Sequence, residues 1–424
     1  MGVYLICGGG RWARAYYTTL AEMLGNHDTA ATKSNMPRVV VVSGRLATEA
    51  GDWYDLSRDH ALEFVATVPP KPAGALPAIA IVASSAASHA TLVRNCLANG
   101  WNVLVEKPFF NSDSTEREAI LAEAEESRLA LAGSFVWTFS EAIRKYASGC
   151  SPADIKHIVL DWADPPGETR HGQAKSFDMA TSVLADVWPH VHGILEAMGV
   201  NVDPARIRVA FACGGQRAEL TGSAGAEANL TIKLSRNATE RIRKLSLEYQ
   251  DGTIYALNFT DSPATIFRNP LGATPRTMEV DQGPKRPLRL QLEAFEQLAT
   301  TSDNVKRGRA RQAIETVCGT LDLLMEAWVR QRRAFLNSSV TAVDLFCTSE
   351  FRFALREELA GRASQGLTEG GRVDHRTIDL QISEVLKKLP VIEPTRDARL
   401  GVLDDILDDV TTSHESISAS SSPT

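Results

Sequence analysis

The stretch VYLICGGGRWA, residues 3–13, decides the fold that we expect for this chain. Its first five residues are apolar, as in a buried strand, and they run directly into glycines and then into ARAYYTTLAEML, which has helical spacing. Gly8, Gly10 and Ala13 form the pattern G-x-G-x-x-A at this junction. There Gly8 permits a tight turn, Gly10 lets the backbone approach a pyrophosphate, and Ala13 keeps the helix close to the sheet. The pattern predicts a dinucleotide-binding loop.

Arg11 and Trp12 lie inside this loop and are candidate contacts to the cofactor. The helix N-terminus behind them offers free N–H groups and the positive end of a dipole to the phosphates. Trp12 could flank the cofactor or pack against the protein. Packing is the more common role of an aromatic side chain at such a position.

Apolar strands alternate with helical segments as far as about residue 140. The strands RVVVVSGR, AIAIVAS, WNVLVE and LALAGSFVW are nearly continuously apolar, and helices such as HATLVRNCLANG separate them. This alternation indicates a parallel sheet that helices cover on both faces. We expect an α/β Rossmann domain, with a doubly wound parallel sheet, over residues 1–140.

The pattern changes beyond about residue 150. Segments such as IKHIVLDWA, NLTIKLSR and TIYALNFT are short, alternating and rich in β-branched residues, which is typical of an antiparallel sheet. We expect an α+β substrate and oligomerisation domain over residues 141–335, with a large open, mostly antiparallel sheet. A helical extension should follow over residues 336–412, and the serine-rich residues 413–424 should be a disordered tail.

Composition narrows the function classes. The net charge of −7, from 45 basic and 52 acidic residues among 424, argues against nucleic acid or an anionic membrane as a partner. The six cysteines are scattered without a C-x-x-C pair, which favours reduced thiols over disulfides or a zinc site. No stretch is long enough to span a bilayer, and the N-terminus lacks the features of a signal peptide. These features predict a cytoplasmic protein without a metal.

The end of the second strand bears on the choice of cofactor. NAD-binding folds usually place an acidic residue there for the ribose hydroxyls, but this strand ends in Ser43, Gly44 and Arg45, and Asp28 lies earlier, in a polar loop. A hydroxyl and a guanidinium suit a 2′-phosphate, so the sequence favours NADP over NAD. The alternative is that Arg45 is a solvated residue at the start of a helix.

Three features together resemble the Gfo/Idh/MocA oxidoreductases. They are the glycine loop at residues 8–13, the segment VASSAASHATLVRNCLANGWNVLVEKP at residues 82–108, and DVWPH at residues 186–190. The resemblance covers roughly residues 1–335. It implies NAD(P)-dependent hydride transfer on sugars and related polyols, and homodimers or homotetramers that form through the sheet of the second domain.

The resemblance also implies roles for individual residues. Lys107 of the E-K-P tripeptide would reach the substrate and assist loss of its proton, beside Glu106 at the cofactor and before a commonly cis bond to Pro108. Asp186 and His190 would act from a helix of the second domain. Their i, i+4 spacing puts both on one helix face, where His190 can act as acid and base and Asp186 can support it.

Further positions carry weaker predictions. By the same resemblance Ser84, Ser85 and His89 would lie near the ribose and pyrophosphate of the cofactor. Lys175, in a polar loop before the Asp186 helix, is a weak candidate for substrate binding.

Pro189 and His192, which lie close to His190 in the sequence, bear on its orientation and on whether it could bind a metal. Pro189 departs from the usual glycine-rich form of the motif and is expected to start or kink the helix. His192 would form an H-x-H pair with His190, but positions i and i+2 of a helix diverge by roughly 200°, which argues against a shared metal.

The sequence therefore predicts an NADP-dependent oxidoreductase that moves hydride between nicotinamide and a carbinol or carbonyl carbon of a sugar or similar polar molecule. Reduction of a C=N bond in a natural-product intermediate is an alternative, because it too needs only a hydride and a proton. A non-catalytic NADP-binding protein whose sheet and extension bind a partner is the other alternative. Lys107, Asp186 and His190 argue against it, since a sensor needs none of them.

Overall fold

The computed structural model describes the chain in segments that together form two sheets and the helices around them. These segments are residues 2–25, 38–44, 53, 62–110, 114–165, 169–170, 173–174, 182–212, 217–225, 227–236, 238–281, 283 and 285–336. The predicted extension and tail, beyond residue 336, lie outside the described residues, as do Arg45 and Lys175.

The first sheet has six parallel strands in the order β3-β2-β1-β4-β5-β6. The strands are β1 Val3–Cys7, β2 Arg38–Val42, β3 Leu62–Val65, β4 Ala78–Val82, β5 Asn102–Val105 and β6 Leu131–Gly133. The chain runs outward from β1 to β3 and then crosses back to β4, so the strand order reverses between β1 and β4. Ligands of doubly wound sheets bind at such a switch point, outside the carboxyl ends of the strands. The predicted parallel sheet is confirmed.

Among the described residues, the helices around this sheet are α1 Arg11–Gly25, α2 His89–Ala98 and α3 Ser114–Glu126. Helix α4, Glu141–Ser148, follows them, and its Tyr146 stacks on Tyr255 in the second half of the chain. Alternate residues of β1 point to opposite faces, as a strand requires. Leu5 lies in the same hydrophobic cluster as Val93 of α2, and Ile6 lies in the same cluster as Leu20 of α1. Both faces of the strand are therefore buried, which accounts for the unbroken apolar run in the sequence.

The second sheet has eight strands in the order β10-β11-β12-β7-β13-β14-β15-β16, and it is antiparallel except where β7 pairs with β12. Its strands are β7 Ile155–Ala163, β10 Val202–Ala212, β11 Arg217–Ala224, β12 Ala228–Ser235, β13 Ile242–Tyr249, β14 Ile254–Asn258, β15 Ala264–Asn269 and β16 Arg276–Val280. Thr169–Arg170 (β8) and Gln173–Ala174 (β9) form a small separate ladder. The predicted open, mostly antiparallel sheet is confirmed.

The helices described in the second half of the chain, up to residue 336, are α5 Val183–Ala197, α6 Pro287–Thr300 and α7 Asn304–Leu336. Helix α5 begins after Ser182, whose hydroxyl accepts a hydrogen bond from the Ala185 N–H at 3.2 Å. Pro189 lies inside this helix, so of the two predicted alternatives, a start or a kink at Pro189, the structure excludes the start. Helix α6 returns to the first domain, where Leu292 and Phe295 join the hydrophobic cluster of α1.

No helix in the described part of the chain is long and apolar enough to cross a membrane.

Two of the three glycines in the loop between β1 and α1, Gly8 and Gly10, have different constraints. Gly8 has a φ of +137°, and a Cβ there would lie 2.6 Å from the Ala83 carbonyl oxygen at the end of β4. Gly10 lies outside the left-handed region, and a Cβ there would meet nothing within 4 Å. Gly8 is therefore required by the fold itself, whereas Gly10 faces open space.

We expect Gly8→Ala to lower the free energy of unfolding by about 1–3 kcal/mol, because it combines a disfavoured φ with a clash against backbone. Gly10→Ala is the matched control and should stay within about 0.5 kcal/mol of the wild type. Urea unfolding followed by circular dichroism measures both. Equal stability of the two variants would contradict this account of the loop.

Candidate active site

The E-K-P turn continues directly from β5 at the carboxyl edge of the first sheet. The Glu106 N–H donates to the Val82 carbonyl at 2.8 Å, so the ladder with β4 extends to this residue. The peptide bond between Lys107 and Pro108 is cis. The turn therefore lies beside the switch point of the sheet, and Lys107 projects from it toward the second domain.

The Glu106 carboxylate faces the protein interior. It is buried, and its Oε1 accepts hydrogen bonds from the Tyr16 hydroxyl at 2.6 Å and from the Ser134 hydroxyl at 2.7 Å. The structure thus places Glu106 beneath the turn, supporting it, rather than toward a ligand in the crevice. Its predicted contact to the cofactor stays a prediction.

Lys107 and Asp186 meet, although one follows β5 and the other lies on α5. The Lys107 ammonium donates to Asp186 Oδ1, and the two side chains are 15% and 21% exposed. Arg236, which follows β12, lies with its Nη1 3.7 Å from Asp186 Oδ2 and is only 2% exposed. The carboxylate therefore contacts a cation on each oxygen. Sequence reasoning missed Arg236, although a cation directly after an alternating strand was a usable signal.

His190 lies one helical turn beyond Asp186 on α5 and is 8% exposed. Its ring stacks on Trp162 with 5.6 Å between centroids and an interplanar angle of 21°, and Trp137 approaches it edge-on at 6.5 Å. Among the described residues its Nδ1 has no hydrogen-bond partner. A buried polar atom without a partner is costly, so the ring is placed to receive a further group.

The surroundings of His190 determine its charge. Burial lowers the pKa of His190 well below its usual range, the Lys107 ammonium lowers it further, and Arg243 acts in the same direction. The carboxylates of Asp186 and Asp164 oppose this shift without reversing it. The imidazole is therefore neutral at pH 7 and can accept a proton.

A buried ion pair supports the indole on which His190 stacks. The Arg243 guanidinium carbon lies 3.9 Å from the centroid of the Trp162 ring, and Arg243 Nη2 donates to Asp164 Oδ1 at 2.5 Å. Arg243 Nη1 also donates to the Ala163 carbonyl at 2.5 Å. These contacts hold the guanidinium against the indole and thereby help to orient the imidazole.

His89 connects two of the predicted segments. It is buried, with Nδ1 2.8 Å from the Pro108 carbonyl oxygen and Nε2 3.3 Å from the Ser84 carbonyl oxygen. Burial lowers the pKa of His89, so the neutral ring donates one hydrogen bond, and the shorter contact assigns it to Nδ1. His89 therefore ties the E-K-P turn to the loop after β4.

The serines of that loop hydrogen-bond mainly to one another. Ser84 Oγ lies 2.8 Å from Ser88 Oγ, and Ser85 Oγ lies 3.2 Å from the same atom. Ser85 is exposed at the edge of the switch point. Both serines follow β4 at the carboxyl edge of the sheet, and their predicted place near the ribose and pyrophosphate of the cofactor stays a prediction.

Buried side chains before and after β2 in the sequence contact the glycine loop and the start of the helix behind it. Ala13 is fully buried against the sheet, as the motif requires, and Trp12 packs partly against the same cluster. Trp53, which is also fully buried, donates from Nε1 to the Gly9 carbonyl at 3.3 Å. Sequence reasoning missed Trp53, because nothing in its neighbourhood links it to a loop more than forty residues earlier.

These residues fit a dinucleotide. Gly10 opens onto empty space directly before α1, and the Arg14 N–H donates to the Gly10 carbonyl at 3.1 Å, so the helix begins at the loop. A helix N-terminus of this kind binds phosphate through its free N–H groups. At the end of β2 the Ser43 N–H donates to the Val65 carbonyl at 2.9 Å.

His192 lies apart from this site. Its ring meets Trp188 edge-on at 5.9 Å, whereas His190 faces Trp162. Within the described segments, no group of three or more His, Cys, Asp or Glu side chains could hold a metal ion.

A comparison with protein families matches the first domain of the chain. A family model described as an oxidoreductase family with an NAD-binding Rossmann fold, GFO_IDH_MocA, matches residues 3–134. The first domain therefore resembles this family, and the match supports an oxidoreductase with an NAD(P)-binding Rossmann fold.

Solved structures share the two-domain fold. UDP-N-acetylglucosamine 3-dehydrogenase from Acidithiobacillus ferrooxidans is 16% identical, with a TM-score of 0.55, over 77% of this chain and 98% of its own. A 3-ketoreductase from Actinomadura kijaniata, in complex with NADP and TDP-benzene, is 12% identical, with a TM-score of 0.56, over 77% and 97%. At these identities the likeness shows the fold alone. Among curated proteins, none matches this chain.

The lowered pKa of His190 predicts a particular loss of stability in acid. The unfolded histidine takes up a proton near pH 6.5, while the folded one stays neutral to lower pH. Its contribution to stability is therefore complete above pH 6.5 and is lost as the pH falls toward the folded pKa. One such proton changes the free energy of unfolding by at most about 1.4 kcal/mol per pH unit.

We expect His190→Phe, which keeps an aromatic ring on Trp162, to make the decline in stability between pH 6.5 and pH 5 shallower. Denaturant titrations at several pH values measure it. His89 and His192, whose pKa values burial also lowers, remain in both proteins, so the difference isolates His190. Parallel curves for wild type and variant would contradict a buried, neutral His190.

Proposed function

We propose that the protein is an NADP-dependent oxidoreductase that transfers hydride between nicotinamide and a carbinol or carbonyl carbon of a sugar or similar polar molecule. One observation carries this proposal. Lys107 from the first domain contacts Asp186, and His190 lies one helical turn further along α5, beside the crevice of a dinucleotide-binding fold. An ammonium, a carboxylate and a neutral imidazole are the groups that proton transfer at a carbinol requires.

The cofactor would be held by the glycine loop and by the N-terminus of α1, with the loop after β4 closing the crevice. When bound, it supplies or accepts the hydride. The protein's own task is then to hold the substrate and to move one proton.

The proton step follows from the charge states in the site. In the oxidation direction, neutral His190 accepts the hydroxyl proton through a ring nitrogen. Lys107, held in place by Asp186, donates a hydrogen bond to the substrate oxygen and favours loss of its proton. Asp186 and Arg236 keep that ammonium in place. In the reduction direction the same groups return the proton to the oxygen.

The preference for NADP rests on the end of β2. Ser43 and Gly44 follow the strand there, and Arg45 comes next in the sequence, so a hydroxyl and a guanidinium stand where an NAD-specific fold usually has an acid. The 3-ketoreductase from Actinomadura kijaniata, which shares the fold, was crystallised with NADP. Both observations support NADP for this chain.

The substrate class is supported by the same neighbours. One is named a UDP-N-acetylglucosamine 3-dehydrogenase, and another is a 3-ketoreductase in complex with TDP-benzene. Ketosugars, including nucleotide-linked ones, are therefore the first substrates to test. Cyclic imines are the second set, because they test the C=N alternative.

His190→Ala should lower kcat by about 10²–10⁴-fold, because it removes the group that takes the proton. The dissociation constant of NADPH should stay unchanged. Oxidation of NADPH, followed at 340 nm across ketosugars and cyclic imines, measures the first quantity, and quenching of tryptophan fluorescence measures the second. His192→Ala, on another face of the same helix, is the matched control and should keep wild-type turnover. Full activity of His190→Ala would remove the imidazole from the mechanism.

The wild type should bind NADPH more tightly than NADH, and Arg45→Ala should lose most of that difference. A hydrogen bond to a charged group is worth about 1.5–3 kcal/mol, so the affinity for NADPH should fall by about 10–100-fold while that for NADH changes little. Fluorescence titration with both cofactors measures this. Equal binding of NADH and NADPH by the wild type would overturn the preference.

A further inference from the structure

Four buried side chains from four elements form one hydrogen-bonded network beneath the E-K-P turn. They are Tyr16 of α1, Glu106 after β5, Ser134 after β6 and Gln291 of α6. We call them the Glu106 network. All of them lie below the backbone of Lys107, and only Glu106 belongs to a motif that the sequence reveals.

The shortest hydrogen bonds of the network end on Glu106. The Gln291 amide nitrogen donates to the Tyr16 hydroxyl oxygen at 3.2 Å and to the Ser134 hydroxyl oxygen at 3.1 Å. Both hydroxyls then donate to the same oxygen, Glu106 Oε1, at 2.6 Å and 2.7 Å. The other carboxylate oxygen, Oε2, accepts from the backbone N–H of Lys107 at 3.2 Å. Both hydroxyls and the Lys107 N–H thus reach the Glu106 carboxylate, and two longer contacts, from Tyr16 to Ser134 Oγ at 3.2 Å and from Ser134 to Gln291 Oε1 at 3.4 Å, close the network.

The hydrogen bonds that the Glu106 carboxylate accepts all come from neutral donors. In the described part of the chain, Glu106 forms no ion pair with a lysine, arginine or histidine. Burial, and then the carboxylate, raises the pKa of Tyr16 well above its usual range, so its hydroxyl keeps the proton that it donates. A buried charge of this kind costs stability compared with an apolar core. Its position directly before Lys107 therefore points to a role in geometry.

The network connects three parts of the proposed site. Tyr16 lies on the helix that begins at the glycine loop, Glu106 and Ser134 follow adjacent strands, and Gln291 lies on a helix of the second half of the chain. The side chain of Lys107 is held separately, by Asp186. Lys107 is thus restrained at its backbone from below and at its ammonium from above.

We propose that Glu106 is a positioning residue, which Tyr16, Ser134 and Gln291 hold so that the backbone of Lys107 delivers its ammonium to Asp186 and to the substrate. This inference rests on the proposed function. It assigns Glu106 to the support of Lys107 instead of a contact with the cofactor, and it gives Gln291 a part in the site.

The test removes the two hydroxyl donors separately and together. In Tyr16→Phe or Ser134→Ala, Glu106 Oε1 keeps one donor, so kcat should change little. In the double variant both donors are lost, and kcat should fall by about 10²-fold, which displacement of a catalytic group by about 1 Å can produce. The effects should therefore be strongly non-additive. The KM for NADPH should stay within a small factor, because the glycine loop is intact.

A second readout does not depend on turnover. Reductive methylation with formaldehyde and a borohydride reagent, followed by peptide mass spectrometry, measures how fast Lys107 reacts. The double variant should label Lys107 several-fold faster than the wild type, because its ammonium is held less firmly against Asp186. Lys156, which pairs with Glu248 at 2.8 Å on the outside of the second sheet, is the internal reference and should not change.

Tyr146→Phe is the matched control. It removes a buried hydroxyl that donates to the Tyr255 carbonyl at 2.7 Å, away from Glu106. It should lower thermal stability as a structural hydrogen bond does, but leave both kcat and the labelling of Lys107 unchanged. If the double variant fails to fold, Glu106→Gln replaces it. That variant keeps the size of the side chain but puts an amide donor against the donors of the network, and it should label Lys107 several-fold faster as well.

The outcomes separate the two proposals. A wild type that oxidises NADPH with no ketosugar or imine, but whose Lys107 labels faster in the double variant, would contradict the proposed function and support the positioning role. Unchanged labelling of Lys107 in the double variant and in Glu106→Gln would overturn the positioning role, whatever happens to kcat.

Discussion

The ion pair between Lys107 and Asp186 joins the two sheets at the mouth of the crevice, and the rest of the site depends on it. Both groups are only partly exposed, so the pair is stronger than one on the surface, and breaking it leaves an uncompensated charge. Arg236 lies against the other carboxylate oxygen and helps to hold Asp186 in place. Burial, and then the Lys107 ammonium, lowers the pKa of His190, so the imidazole is neutral.

The second domain supports this pair with aromatic rings. Trp162, Trp137 and Phe259 lie within 5.4–6.1 Å of one another, centroid to centroid, and His190 stacks on the first of them. Rings exclude water and lower the local dielectric, which strengthens every charge interaction in the site. Arg243 then contributes twice, since it holds the indole and its charge also lowers the pKa of the histidine. His190, the proposed proton acceptor, is therefore uncharged but lies close to the fixed guanidinium of Arg243.

The main contribution of the first domain is to fix the positions of the glycine loop and the E-K-P turn. Gly8 allows β1 to pass against the end of β4, Trp53 holds the glycine loop from above, and His89 ties the loop after β4 to Pro108. The contacts of Trp53 and His89 both use a backbone carbonyl as the acceptor. The E-K-P turn and the glycine loop are therefore fixed relative to each other before any ligand arrives, which reduces the ordering that binding requires.

The amino-acid sequence by itself determined the strand, glycine loop and helix at residues 3–25, the change from a parallel to an antiparallel sheet, and the pairing of Asp186 with His190 on one helix face. These are local properties, because apolar periodicity and i, i+4 spacing act within a few residues. Only the tertiary structure decided that Lys107 meets Asp186, 79 positions later, that Arg236 joins them, and that Gln291 lies beneath Glu106. The direction in which Glu106 points was likewise invisible in the sequence. Contacts between distant segments depend on how the two sheets pack, and no short pattern of residues encodes that packing.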